Sequence, residues 1–170
     1  MNIREANTKD LPVLQAIARK TFYETYASMN TAENMSKYLN EDLGTEKLRA
    51  ELGVSTSKFF LFEKDNTVLA YTKLTLHNCS AWKLQTESGL EIERIYVDAG
   101  YQGKGIGKAL LMHAEEVARN FLCNYIWLGV WQENEKAIKF YTQHKFEIVG
   151  RHIFKLGLDD QTDWLMAKAL

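Results

Sequence analysis

Seven residues at positions 101–107, YQGKGIG, place three glycines between an apolar run and an amphipathic one. The preceding segment LEIERIYV is rich in β-branched residues and predicts a strand. The apolar residues that follow recur at helical spacing and predict a helix. A glycine-rich turn at such a junction leaves backbone amides unpaired beside the positive end of a helix dipole. The sequence therefore predicts an anion site here, with a pyrophosphate as the natural ligand.

The size of the chain bounds the architecture around this turn. With 170 residues, 46% hydrophobic residues and one proline, it has the length of one ordinary domain and no obvious linker. We therefore expect residues 1–170 to form a single domain. Cys79 and Cys123 show neither a CxxC spacing nor a nearby cluster of histidines, which predicts two reduced thiols and no metal site.

Charge and hydropathy narrow the kinds of partner. The formal net charge of -1 provides no broad positive field to attract nucleic acid or an anionic lipid surface. The segment MNIREANTKD has no apolar stretch typical of a secretion signal, and no apolar run approaches the roughly 20 residues that span a bilayer. We expect a cytoplasmic protein whose partner is neither nucleic acid nor a membrane.

The first half of the chain predicts helices followed by a hairpin. A short strand at 2–6 precedes a helix at about 10–27 and the shorter helices TAENMSKYL and TEKLRAEL. Residue types that accept amide hydrogen bonds stand before these helices, and the predicted caps are Thr8, Thr31 and Thr45. The segments KFFLFEK and TVLAYTKLTL, joined by Asp65-Asn66, predict a β-hairpin.

The second half alternates strands and helices. In the strand at 90–98, neither alternating set of residues is purely apolar: Leu90, Ile92, Arg94 and Tyr96 oppose Glu91, Glu93, Ile95 and Val97. After the glycines come a helix, a buried strand at 125–131, a helix capped by Asn134 and strands near 146–154 and 162–168. This order implies crossovers and partly parallel pairing.

Three phosphate-binding patterns compete for the glycine turn. The P-loop pattern G-x-x-x-x-G-K-S/T fails because Gln102 and Ala109 occupy its first and last positions. The dinucleotide pattern G-x-G-x-x-G fits weakly because Lys108 stands in its sixth position. The third pattern, Q/R-x-x-G-x-G/A, is filled by Gln102, Gly105 and Gly107.

This third pattern carries a resemblance to a known family. The segment LEIERIYVDAGYQGKGIGKALL resembles the acetyl-CoA loop of the GCN5-related N-acetyltransferases (GNAT), and NEKAIKFYTQHKF resembles their second cofactor motif, N-x-x-A-x-x-F-Y-x-x-x-G-F. Lys145 stands where that motif has its glycine. This departure leaves open how the chain turns from the helix into the next strand. The segments ETYASMNTAENMSKYL, IWLGVWQENEKAI and DQTDWLMAKAL extend the resemblance to bacterial PaiA-type polyamine acetyltransferases.

The resemblance implies a fold and a cofactor site. The fold is α/β (α+β), a mixed twisted sheet of about six to seven strands flanked by helices. The co-substrate is acetyl-CoA, whose pyrophosphate is expected on the amides of 103–108, with Gln102 bracing the loop. The residues implied in cofactor binding are Ile95, Tyr96, Val97, Gln102, Gly103, Lys104, Gly105, Ile106, Gly107, Lys108, Asn134 and Ala137.

Two catalytic residues follow from the same resemblance. Glu93 stands where family members place a carboxylate that accepts the amine proton, and freeing an alkyl amine at pH 7 costs about 4.6 kcal/mol. Tyr141 is implied beside the sulfur, where a phenol donates to the departing thiolate. Each residue also has a purely structural interpretation. Glu93 is then exposed to solvent or paired with Arg94, Tyr141 is a core residue, and Asn134 only caps its helix.

The acceptor is inferred from charge. Residues 24–51 contain six carboxylates against three cations, and in this family these helices flank the acceptor groove. A polyamine such as spermidine or spermine is therefore the expected small-molecule substrate. Tyr26, Trp82 and Trp131 are candidates for the pocket wall. Two plainer interpretations stay open: the charged residues belong to solvent-exposed faces of the helices, and the aromatic residues belong to the core.

The resemblance implies direct attack by a primary amine in a ternary complex. Two other functions remain open at this point: acetylation of a protein N-terminus or lysine, and a non-catalytic acyl-CoA sensor. Dimers are common among such enzymes, so a homodimer is open as well.

Overall fold

The computed structural model describes residues 2–78, 88–156 and 159–170, in which strands and helices follow the predicted order. The strands are β1 (Asn2–Glu5), β2 (Ser57–Lys64), β3 (Thr67–Asn78), β4 (Ser88–Val97), β5 (Tyr125–Trp131), β6 (Glu147–Leu156) and β7 (Asp159–Ala169). The helices are α1 (Leu11–Tyr26), α2 (Ala32–Glu41), α3 (Thr45–Leu52), α4 (Ile106–Asn120) and α5 (Glu135–Gln143). Cys79 and Trp82 lie outside the described residues.

The strands in the described ranges form one sheet in the order β1-β2-β3-β4-β5-β7-β6. Neighbouring strands run antiparallel except β4 and β5, which are parallel. A parallel pair requires a crossover, and α4 supplies it between these two strands. The predicted mixed sheet flanked by helices is therefore confirmed.

Helices cover both faces of the sheet. On one face, α4 and α5 pack against Leu90, Ile126 and Leu128 through buried residues such as Leu111 and Tyr141. On the other, α1, α2 and α3 pack against residues of β2 and β3, with a core of Leu14, Phe22, Met35, Leu48, Leu61 and Tyr71. None of the helices in the described ranges is long and apolar enough to cross a membrane.

Two of the predicted helix caps are wrong. Asn7, rather than Thr8, caps a short 3₁₀ turn before α1, because its side chain accepts a hydrogen bond from the Lys9 amide at 2.9 Å. Before α3 the capping position belongs to Gly44, and Thr45 is already helical. Thr31 and Asn134 cap α2 and α5 as predicted, accepting from the amides three residues on at 3.2 and 3.1 Å.

A β-bulge at Glu93 explains the mixed pattern of β4. Lys73 pairs with Arg94 and Leu74 pairs with Ile92, so Glu93 is an extra residue that has no pairing partner on β3. The extra residue reverses the alternation. As a result Leu90, Ile92, Ile95 and Val97 all pack toward α4, whereas Arg94 and Tyr96 line a cavity on the opposite face.

The sheet opens between its two parallel strands. β4 and β5 pair only at Gly89↔Tyr125, Leu90↔Ile126 and Glu91↔Trp127 in the described ranges. From Ile92 to Val97, no described residue pairs with β4 on the side of β5. The backbone of Ile95, Tyr96 and Val97 therefore borders a gap in the sheet.

Candidate active site

The glycine turn owes its shape to two left-handed residues. Gly103 has a φ of 74° and Gly105 a φ of 82°, a region that residues with a Cβ avoid. A Cβ built at either position would meet no atom within 4 Å. The backbone conformation, not crowding within the protein, requires glycine here, and the space beside both residues is open to a ligand.

The amides of residues 103–108 are free to bind an anion. The first backbone hydrogen bond of α4 runs from the Ala109 amide to the Gly105 carbonyl at 3.0 Å. Among the described residues, no acceptor is found for the six amides that precede it. Consecutive free amides at a helix N-terminus fit a pyrophosphate, which is the group that the sequence predicted.

Side chains of β4 and α5 hold this turn in place. Gln102 Nε2 donates to the Val97 carbonyl at 3.1 Å, and Lys136 donates to Gln102 Oε1. A Cβ at Gly107 would lie 3.7 Å from Phe140 Cζ and 3.9 Å from Val97 Cγ2, so Gly107 sits where α4, α5 and β4 meet. Gln102 thus connects the loop to both β4 and α5.

The remaining predicted cofactor residues are placed less directly. Lys104 donates to the Gly100 carbonyl at 2.9 Å and lies over the Tyr101 ring, whereas Lys108 is exposed. The Ala137 amide donates to Asn134 Oδ1, so these two residues cap α5 whatever else they contact. Ile106 is buried against β3 and β4.

Helix α1 holds the other side of the turn. Lys20 forms an ion pair with Asp98, and Glu24 Oε2 accepts from the Ala99 amide at 3.0 Å. The hydrogen bond from Lys20 holds the pKa of Asp98 below its usual value, and the bond from the Gly100 amide adds to this effect. The segment between β4 and the glycines is therefore fixed by charge.

A cavity of about 330 Å³ lies beside the gap in the sheet. Its aromatic wall includes Tyr26 and Trp131, whose ring centroids are 6.2 Å apart. The lining comes from α1, from the segments around α2 and α3, and from four strands: Phe22, Tyr26, Tyr38, Asp42, Lys47, Glu51, Glu91, Glu93, Arg94, Tyr96, Gly129, Trp131, His152, Gln161 and Asp163. Two of the three predicted pocket aromatics line it, and the third, Trp82, lies outside the described residues.

The carboxylate of Glu93 is engaged by its neighbours. It forms an ion pair with Lys73 and accepts a hydrogen bond from Thr75 Oγ1 at 2.5 Å, and its side chain is 27% exposed. Burial opposes ionisation, but the bonds from Lys73 and Thr75 outweigh it and hold the pKa of Glu93 below its usual value. Arg94 is not its partner, because the guanidinium bonds to Glu51 at 2.7 and 3.2 Å.

Tyr141 lies in the core beside α4 and β5 and is not part of the cavity wall. The residue is 7% exposed and packs against Phe140 and Phe146 at 5.2 and 5.7 Å between ring centroids. Burial raises the pKa of its phenol, so the hydroxyl keeps its proton and can donate. Within the described chain no hydrogen-bond partner is found for this hydroxyl.

Sequence reasoning missed much of the cavity's charge. Of the six carboxylates at 24–51, only Asp42 and Glu51 reach it. The other three carboxylates of the cavity lie on strands: Glu91, Glu93 and Asp163. This is because the sheet contributes more of the cavity wall than the helices do. Asp163 had a detectable signal, since it directly precedes the apolar residues Trp164, Leu165 and Met166 of β7, but its neighbours across the sheet cannot be read from the sequence.

Residues 19–146 match the model of the Acetyltransferase (GNAT) family. The chain belongs to this family. An N-acetyltransferase of Lactobacillus delbrueckii subsp. lactis, whose role is uncharacterised, is 38% identical over 170 residues, covering 100% of this chain and 98% of the relative. The spermidine N(1)-acetyltransferase of Thermoplasma acidophilum is 27% identical over 172 residues, covering 99% and 96%.

Solved structures of GNAT proteins have the same fold. The crystal structure of the PaiA N-acetyltransferase of Thermoplasma acidophilum in complex with coenzyme A has a TM-score of 0.80 at 25% identity, covering 99% of this chain and 98% of that one. The GNAT enzyme described here is thus an N-acetyltransferase that uses acetyl-CoA and resembles the PaiA type.

Proposed function

We propose that this GNAT enzyme acetylates a primary amine of a polyamine such as spermidine or spermine. The observation that carries the proposal is the acidic, aromatic cavity beside the gap in the sheet. The spermidine N(1)-acetyltransferase among its relatives supports the same acceptor class.

The charges of the cavity suit a polycation. Five carboxylates line it, against the cations of Lys47 and Arg94, and the buried Lys73 lies behind Glu51 and Glu93. The surplus is negative, so an acceptor with several ammonium groups is attracted and an anionic one is repelled. The rings of Tyr26, Tyr38 and Trp131 offer faces to the methylene segments and ammonium groups of such a chain.

The cofactor would bind along the gap and the glycine turn. The amides of Gly103 to Lys108 hold the pyrophosphate, and the backbone of Ile95 and Val97, on the side of β4 that β5 leaves open, holds the pantetheine arm. Tyr96 contributes its backbone only, since its side chain faces the cavity. The bound cofactor supplies an activated acetyl thioester at the point where gap and cavity meet.

The reaction needs an amine, an electrophile and a protonated leaving group. Glu93, ionised and paired with Lys73, adds to the field that draws the ammonium into the cavity. The free amine attacks the thioester carbonyl directly, since the arrangement holds both substrates together. Tyr141 donates its proton or a hydrogen bond to the sulfur as the C–S bond breaks.

Thiol release from acetyl-CoA tests the proposal. The acceptor panel comprises spermidine, spermine, putrescine, a monoamine of similar length, aminoglycosides and short peptides. The proposal is supported if turnover is highest with the polyamines and decreases as the acceptor carries fewer ammonium groups. Turnover with peptides alone would overturn the polyamine assignment, while coenzyme A should raise the Tm in either case.

A further inference from the structure

Asp163 is a cavity carboxylate with one oxygen that no other residue of the described ranges satisfies. It lies on β7, opposite Trp131 on β5 and His152 on β6. Its Oδ1 atom is buried and has no hydrogen-bond partner among the described residues. Glu51 and Glu93, by contrast, are both bound by cations. Because an orphaned carboxylate is costly, its retention in a cavity indicates a ligand.

The recess around Asp163 exists because residue 129 is glycine. A Cβ at Gly129 would lie 3.0 Å from His152 Cε1 and 3.4 Å from Asp163 Oδ2. The imidazole and the carboxylate therefore converge over the same point of β5. His152 is exposed whereas the Asp163 side chain is half-buried, so the pair extends from the cavity to solvent.

Tyr26 lines the same cavity, and its ring centroid lies 6.2 Å from that of Trp131, the residue opposite Asp163 on β5. Burial raises the pKa of Tyr26, its hydrogen bond with Tyr96 opposes this, and the charge of Asp163 raises the pKa further. The same Tyr26 adds to the effect of burial on Tyr141. The Tyr26 hydroxyl therefore keeps its proton in the cavity that Asp163 lines.

We propose that Asp163 binds the reacting ammonium of the acceptor and takes its proton before attack. This inference rests on the proposed function and deepens it by assigning the proton acceptor. The ammonium gives one proton to the Asp163 carboxylate, which passes it by way of His152 to solvent. The amine then forms the N–C bond as the C–S bond breaks, and Tyr141 gives its proton to the sulfur. The acetylated nitrogen loses its second proton to the Asp163 carboxylate, which is ionised again by then, and a proton from solvent returns to the Tyr141 oxygen.

The surroundings make Asp163 a better proton acceptor than Glu93. Burial raises the pKa of Asp163, against a smaller opposing effect of His152, whereas Lys73 and Thr75 lower that of Glu93. The titratable groups that face Asp163 or share its cavity are Tyr26, Tyr38, Asp42, Lys47, Glu51, Glu91, Glu93, Arg94, Tyr96 and His152. A higher pKa narrows the mismatch with an alkylammonium of pKa about 10.4.

The test compares Asp163→Asn with Glu93→Gln, using any amine that the wild type acetylates. For Asp163→Asn we expect kcat/KM for the amine to fall about 100-fold near pH 7, with the KM for acetyl-CoA within about twofold. The loss should shrink as the pH nears about 10, because the amine then deprotonates without help. Glu93→Gln should lose less and keep the wild-type pH profile.

A loss under about threefold near pH 7, or an equal loss at every pH, would overturn the inference. If the wild type acetylates a different amine and not polyamines, the acceptor class is wrong, and the same comparison with that amine still decides the role of Asp163. Should no amine be turned over, urea unfolding decides: Asp163→Asn must be more stable than wild type near pH 8 and not near pH 4. Equal stability at both would show that Asp163 carries no orphaned charge.

Discussion

Lys73 on β3 and Glu93 in the bulge of β4 form an ion pair, to which Thr75 adds a hydrogen bond at 2.5 Å. The Lys73 side chain is 7% exposed and also reaches Glu51 at 3.3 Å. A buried ammonium is thus neutralised by two carboxylates from different elements. The bulge is where the core meets the wall of the cavity.

This pair predicts a loss of stability in acid. The pKa of Glu93 lies below its ordinary value of 4.5, so its ionised form stabilises the folded state above that pH. The contribution is lost as the pH falls through the lowered pKa. Glu93→Gln should therefore reduce the free energy of unfolding by about 1 kcal/mol near pH 7 and by less near pH 3, measured by urea unfolding. An equal reduction at both values would contradict the ion pair.

Tyr141→Phe separates a chemical from a packing role. We expect kcat to fall by about 10- to 100-fold with both KM values changed by less than about threefold, because the phenol acts only as the thiolate leaves. Stability should stay the same, since the hydroxyl has no partner in the described chain. Steady-state kinetics with each substrate varied in turn provide the measurement. Raised KM values with an unchanged kcat would make Tyr141 a packing residue.

Gly105→Val tests the pyrophosphate site. A valine at a φ of 82° is strained and puts its methyl groups into the open space beside the amides. We expect the KM for acetyl-CoA to rise at least about tenfold and stability to fall by about 1–2 kcal/mol. Asn66→Val, at a φ of 59° in the β2–β3 hairpin, is the matched control. It should show the same loss of stability with an unchanged KM.

Asp42→Asn tests the attraction of a polycation. Asp42 lines the cavity just after α2, whereas the adjacent Glu41 is exposed outside it. We expect the KM for spermidine to rise by about 3- to 10-fold in the Asp42 variant and to change little in Glu41→Gln. Added salt should narrow the difference. If both variants behave alike, the effect comes from the overall charge and not from the cavity.

Lys145→Gly should stabilise the protein. Lys145 has a φ of 72°, the left-handed conformation that the family's glycine adopts freely, and the following Phe146 amide bonds to the Tyr141 carbonyl at 3.1 Å. Glycine relieves the strain, so we expect a gain of about 1 kcal/mol with unchanged kinetics. Leu122→Gly, at a φ of 55° after α4 and 84% exposed, should give a similar gain far from the site. A loss in both variants would refute the strain argument.

The features predicted correctly from the sequence are those that depend on local sequence patterns. The order of the elements and the glycine turn follow from periodicity and from residues that tolerate a positive φ. Lys145 adopts the left-handed turn without being a glycine, and the turn is held by hydrogen bonds that local propensity does not reveal. The caps at Thr8 and Thr45 failed because Asn7 and Gly44 stood one residue earlier and their geometry suited the helix start.

What could not be predicted depends on contacts between distant residues. The partners of Glu93 come from β3, and the recess of Asp163 is made by residues on β5 and β6. The mixed pattern of 90–98 did signal an irregularity, but only the pairing with β3 locates the extra residue. The bulge determines which residues of β4 face α4 and which face the acceptor cavity.

The bulge at Glu93 makes the number of residues in β4 part of its pattern. If the strand kept its present length but paired regularly with β3, every residue after Ile92 would exchange faces. Ile95 and Val97 would then face the cavity, and Arg94 would face the core against α4. Deleting Glu93 alone would leave these faces as they are, so the bulge fits one additional carboxylate into the cavity wall without disturbing the apolar face.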